Sequence, residues 1–215
     1  MPKITLYPKT QRYDEDSRIQ ITEKIDGSNL TLFKLDDDLY IGQRNNVFKW
    51  DADNPQSTYK GLNGWLAEHG EQLRENLHSR SAIIGEWVGM GRLKYPKDFE
   101  RFQMFAKGNI KHDFVLSRLN YDRDDFIYPF IDQEIPDFIG VVPHIVSLVA
   151  RPTVEELDTI YDEYRLGVER DVEGFVLNNA NHITKYVRMK NGTVEPHFSR
   201  GNNPDNGNRK LEEQK

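Results

Sequence analysis

Lys24 sits in the run Ile21-Thr22-Glu23-Lys24-Ile25-Asp26-Gly27-Ser28-Asn29, with a carboxylate two residues on and a glycine next to it. Lysine is a nucleophile once its proton is gone. Glycine lets a backbone come close to a ligand. Two further carboxylates stand in apolar strings: Glu86 in Ala82-Ile83-Ile84-Gly85-Glu86-Trp87-Val88-Gly89, and Glu173 in Val172-Glu173-Gly174-Phe175-Val176-Leu177. A glutamate in such a string is costly unless it is paired, hydrogen-bonded or part of a site. Ile183-Thr184-Lys185-Tyr186-Val187-Arg188-Met189-Lys190 then presents basic side chains from one strand. An amine nucleophile, carboxylates and cations together suit chemistry on a phosphate.

These residues need elements to carry them. Arg18–Glu23 alternates apolar and polar with period two, so it reads as a strand with Lys24 at its end. Asn29–Leu35 alternates again, Asp36-Asp37-Asp38 forms a solvated hairpin tip, and Leu39–Gly42 returns. Arg44 follows that returning strand. In Ser57–Leu77 the residues Leu62, Trp65, Leu66, His69, Leu73 and Leu77 make one helical face, on which His69 reads as a packed or partly exposed histidine. Arg101–Ala106 carries Phe105 in a strand-like run, and Gly140–Val146 reads as another strand. Thr153-Val154-Glu155-Glu156 has the spacing of a capping box, and Gly167 is the expected stop of the helix that follows. A short strand is expected at Ile4–Leu6, and 111–139 gives no clear pattern. From Glu195 the chain is rich in Gly, Asn and charge and reads as a flexible tail.

The bulk numbers narrow the class. At 215 residues, with 30% charged residues and a net charge of −6, this is a soluble globular chain of one main domain. No apolar run is long enough to span a membrane, and the N-terminus lacks the apolar stretch of a signal peptide. With no cysteine, disulfides and thiolate metal sites are excluded, which fits a cytoplasmic location. A mildly acidic balance leaves room for nucleic-acid binding through a local basic stripe.

The strings occur in an order that resembles the covalent nucleotidyltransferases, and within them the ATP-dependent RNA ligases. Lys24-Ile25-Asp26-Gly27 is similar to their KxDG motif, Gly85-Glu86-Trp87 to motif III in its RNA-ligase form, Glu173-Gly174-Phe175-Val176 to motif IV, and Lys185-Tyr186-Val187 to motif V. Motif V has a second register, Arg188 and Lys190, which has the right spacing. The aspartate that usually follows the family's stacking aromatic is replaced by Ala106 after Phe105.

The resemblance implies an α+β nucleotidyltransferase (ATP-grasp-like ligase) domain over 1–194, with mixed antiparallel sheets flanked by helices, a nucleotide cleft, and a tail over 195–215. It implies that Lys24 attacks ATP and becomes lysyl-AMP. Glu23, Asp26, Gly27, Arg44, Glu86, Phe105, Glu173, Lys185 and Arg188 would surround the nucleotide, with Phe105 stacking on the purine. Asn29 would lie near the RNA end. A lysine's reference pKa is about 10.4, and carboxylates beside it favour the ammonium. Asp26, Glu86 and Glu173 therefore make sense with a divalent cation between them, Mg²⁺ or Mn²⁺ in its place.

The expected substrate is RNA with 5′-phosphate and 3′-hydroxyl ends. Only about 25 residues follow motif V, too few for a second OB-type domain. Sealing is then expected either to draw on an accessory protein or to act on a limited set of ends. Two alternatives stay open: a minimal DNA ligase or GTP-using capping-type transferase on the same fold, and a non-catalytic nucleic-acid-binding module on a ligase scaffold.

Overall fold

A computed structural model describes residues 18–43, 46–110, 116–119, 129–132, 134–179, 182–190 and 193–194. The expected strand at Ile4–Leu6, the tail from 195 and Arg44 lie outside the described residues.

The described strands form two main sheets. The smaller contains β1 (Ile19–Glu23), β9 (His144–Leu148), β10 (Gly174–Asn179) and β11 (His182–Val187), in the order β11-β10-β1-β9 and antiparallel throughout. The larger contains β2 (Gly27–Leu35), β3 (Asp38–Gln43), β4 (Asn46–Lys49), β5 (Ser81–Val88), β6 (Phe102–Ile110) and β7 (Leu116–Leu119), in the order β4-β3-β2-β5-β6-β7. In it β8 (Ile139–Val141) pairs parallel with β6. A short hairpin, β12 (Met189–Lys190) with β13 (Thr193–Val194), completes the strands.

Each main sheet has its own helix and its own core. Helix α1 (Leu62–Asn76) lays Leu62, Trp65, Leu66 and Leu73 on the larger sheet against Leu30, Leu32, Ile83, Trp87 and Phe102. It starts at Leu62 rather than at Ser57. The Asn63 side chain bonds both the amide and the carbonyl of Ser57, holding 57–61 as a loop that ends at Gly61 with φ +80°. His69 on this helix stacks on Phe138, with ring centroids 4.1 Å apart. Helix α2 (Val154–Val168) packs Leu157 and Tyr161 on the smaller sheet with Ile21, Phe175 and Tyr186. Its capping box is formed, with Thr153 Oγ1 accepting from the Glu156 amide and Glu156 Oε2 from the Thr153 amide. Gly167 is not its stop: the helix continues through Gly167 and Val168 and ends at Glu169, which takes the left-handed conformation at φ +52°.

The stretch 140–146 is two strands, not one. Pro143 has no N–H for a ladder, and the chain breaks at Val142-Pro143 and passes from the larger sheet (β8) to the smaller (β9). No described helix is long and apolar enough to cross a membrane.

Candidate active site

The connection from β1 to β2 is the second place where the chain changes sheets. β1 ends at Glu23 in the smaller sheet and β2 begins at Gly27 in the larger, so Lys24-Ile25-Asp26 bridges the two. The two crossings lie side by side. The Glu23 amide donates to the Pro143 carbonyl (2.9 Å), the Lys24 amide to the Gly174 carbonyl (2.9 Å), and the Val142 amide to the Met104 carbonyl (2.9 Å). Ile25, Val88 and Val142 form a small apolar core at the junction. Gly27 is needed here for close approach: a Cβ at this position would lie 2.4 Å from the Trp87 carbonyl oxygen and 2.8 Å from Glu86 Cγ.

This junction brings the two sequence-picked glutamates to the lysine. Lys24 Nζ lies 2.5 Å from Glu173 Oε2, and both side chains are partly exposed. Glu86, from the opposite sheet, has its carboxyl pushed up to about 7 by burial; the nearby Lys24 charge opposes this, while Glu173 and Asp26 add to it. Glu173 is also raised, by burial first, against the pull of Lys24. Lys185 lies near enough to lower it further. Lys24 and the more distant Lys185 among three carboxylates thus leave surplus negative charge.

That surplus suits a hard cation. Among the described residues, however, no three His, Asp or Glu side chains converge closely enough to ring a metal ion. Asp26 Oδ2 is engaged by the amides of Arg92 (2.5 Å) and Leu93 (2.8 Å), and the Asp26 amide donates to the Tyr95 hydroxyl (2.8 Å). The surplus charge would suit a cation that keeps most of its water, as Mg²⁺ does, and Glu86 and Glu173 are the carboxylates that would hold it.

The other sequence-picked residues divide between this junction and elsewhere. Asn29 lies beside it, directly across from Glu86 in the β2–β5 ladder, with its amide 3.4 Å from the Gly85 carbonyl. Phe105 is the extra residue where the β5–β6 register shifts, between Ile84 and Gly85 on the partner strand. It is half-buried and packs with both the Ile25 cluster and the Phe33 cluster. Lys185 is exposed while its neighbour Tyr186 is buried against α2, so the strand's alternation turns Lys185 away from the helix. Arg188 turns to α2, where it pairs with Asp158 and lies over Tyr161, 5.1 Å from the ring centroid. The side chain of Lys190 lies outside the described residues.

Glu23 faces away from Lys24. Its carboxylate is buried and takes two charge-assisted bonds from Arg170 (2.5 and 2.6 Å) and one from the Tyr164 hydroxyl (2.6 Å). Both oxygens are thereby engaged within the protein, so the side chain has no position open for a nucleotide. The Arg170 guanidinium also lies against a pair of rings, 5.3 Å from the centroid of Tyr95 and 5.2 Å from that of Phe99. Arg170, Tyr164, Tyr95 and Phe99 were not legible as site residues. The one sequence signal is Arg170's place three residues before Glu173.

Comparison with known proteins gives the same direction. Solved structures of Naegleria gruberi RNA ligase match over 80% of this chain and 50% of theirs. An alanine mutant with ATP and Mn does so at 19% identity and a TM-score of 0.50, and an apo alanine mutant at 18% identity and 0.52. The chain thus spans about half the length of those structures, and the likeness supports the mixed α+β fold. No curated protein matches the sequence. The family model described as RNA ligase matches residues 17–191, and the chain belongs to the RNA ligase family.

Proposed function

We propose that the chain is the adenylation domain of an ATP-dependent RNA ligase, with ATP in a cleft at the junction of the two sheets. The observation that carries this reading is Lys24 at the crossing, 2.5 Å from Glu173 and close to Glu86, whose carboxyl is pushed up to about 7.

Lys24 Nζ gives up a proton to solvent and, as the neutral amine, attacks the α-phosphorus of ATP. An N–P bond forms, the bond from that phosphorus to the bridging oxygen breaks, and pyrophosphate leaves with the electron pair. Glu173 orients Nζ through its direct contact. A hydrated divalent cation held by Glu86 and Glu173 would supply the positive charge that favours the neutral amine. Lys185 offsets charge on the phosphate as the bond forms. Phe105 offers a ring to the purine. AMP then passes to a 5′-phosphate as a 5′-to-5′ pyrophosphate, and a 3′-hydroxyl displaces it. Asn29, across the ladder from Glu86, stands where it can contact that end.

Nicked duplexes that differ only in the sugar of the 3′-OH terminal nucleotide test the substrate. A site that bonds the 2′-hydroxyl is left unsatisfied by deoxyribose, at about 1–3 kcal/mol. Ribose ends should therefore seal roughly five- to hundredfold faster under single turnover. Equal sealing of both ends would favour the minimal DNA ligase.

A further inference from the structure

We infer that Arg170 is a positioning residue for the covalent step: through Glu23 it holds the end of β1, and with it Lys24, in register with Glu173. This rests on Lys24 being the nucleophile.

Lys24 and Glu173 come from different parts of the chain, and their contact depends on how two segments are joined. The backbone supplies part of the joint, in the Lys24 amide to Gly174 carbonyl bond. The β1–β10 ladder, pairing Gln20–Glu23 with Phe175–Asn178, supplies more of it, and Arg170 adds a side-chain tie at its end. Arg170 lies three residues before Glu173 and grips the residue immediately before Lys24 through two parallel bonds, a geometry that fixes angle as well as distance. The Glu23 side chain is 0% exposed and that of Arg170 12%. Burial opposes the guanidinium's charge, yet Glu23 outweighs it and Arg170 is held charged.

The same guanidinium also reaches the segment beyond β5. Tyr95 and Phe99 stack with each other, with centroids 4.7 Å apart, and Arg170 lies against the pair. Tyr95 in turn accepts from the Asp26 amide, while Asp26 Oδ2 holds the amides of Arg92 and Leu93. Lys24 therefore lies between two anchored neighbours. Glu23 is tied inward to Arg170, and Asp26 is tied to the segment 92–99 that Arg170 supports. None of these side chains needs to touch the nucleotide to affect its capture. An error of about 1 Å in a reacting atom can cost about a hundredfold in rate.

The test is single-turnover capture of labelled ATP by wild type, Arg170→Gln and Arg170→Lys. It reads both the rate constant and the final labelled fraction. A positioning role lowers the rate constant, whereas a purely structural role lowers the fraction of competent protein and leaves the rate constant intact. Arg170→Lys keeps the charge and loses the planar fork, and serves if the glutamine variant fails to fold. The expected result is a rate constant roughly ten- to hundredfold lower in Arg170→Lys, a labelled fraction near wild type, and an unchanged ATP concentration at half-maximal rate. A wild-type rate constant in Arg170→Lys, with Lys24 still labelled, overturns the inference and leaves the ligase reading standing. A loss confined to the labelled fraction also overturns it. Wild type that captures no nucleotide on Lys24 overturns both.

Discussion

Glu23 closes β1 and Glu86 lies within β5 beside the Lys24 crossing, and the two glutamates are handled in opposite ways. Glu23 is the more deeply buried, yet its charge is balanced by a bidentate arginine and a tyrosine hydroxyl. Glu86 is less buried, yet its carboxyl rises to about 7: burial is the main cause, the Lys24 charge opposes it, and Glu173 and Asp26 add to it with no bidentate partner among the described residues to balance them. Burial alone therefore does not mark a working carboxylate. What separates the two is whether the protein itself supplies the counter-charge. Where it does, the group fixes structure; where it does not, under the proposed function the missing charge arrives with cation and substrate.

Substitutions sharpen this contrast. The largest effect is expected at Glu173, the carboxylate in contact with Lys24. Glu173→Gln keeps the shape and should slow covalent capture about 10²–10³-fold with little change in melting temperature. Wild-type rates at limiting Mg²⁺ would move Glu173 to the structural side. Glu23→Gln should differ by adding a loss of stability to the loss of rate, since removing one partner of a buried ion pair strands the other. A loss of about 3 kcal/mol is expected, seen as a Tm lower by roughly 6–12 °C for a domain of this size.

The smallest effect is at Glu86, and its sign depends on pH. The folded state holds this carboxyl's proton more tightly than the unfolded chain does. Its contribution to stability is thus fully present below about pH 4.5 and is lost as pH rises through about 7. Without metal, Glu86→Gln should be more stable than wild type at pH 8 by about 1–2 kcal/mol after allowance for solvent screening. The gain should shrink toward pH 4.5. Thermal unfolding in chelator across that range measures it, and a variant less stable than wild type at pH 8 would place Glu86 with Glu23.

Much of this site was legible because its residues violate local rules. Glu86 and Glu173 are charges in apolar strings, and Gly27 interrupts an alternating run, so each shows in a single strand's sequence. From sequence Lys185 and Arg188 were both open; the structure exposes Lys185 and turns Arg188 to Asp158 on α2. What sequence could not give was partnership across long separations. Arg170 and Tyr164 are 147 and 141 residues from Glu23, and nothing near Arg170 marks it as more than a surface arginine. The split of 140–146 into two sheets was hidden for a similar reason. Its apolar run fits one strand locally, and only the pairing partners, β6 on one side of Pro143 and β1 on the other, show where it divides. The end of α2 misled in another way: glycine is the usual left-handed stop, but here Glu169 takes that conformation.

The central claim is that Lys24 carries the nucleotide. The direct measurement is incubation with ATP labelled at the α-phosphorus and Mg²⁺, denaturing electrophoresis, and peptide mapping of the adduct. The expected result is one AMP per chain on Lys24, released by acid as a phosphoramidate is, and no label in Lys24→Ala or Lys24→Arg, whose guanidinium stays protonated at working pH. Label that persists in Lys24→Ala and maps to another lysine would contradict the account.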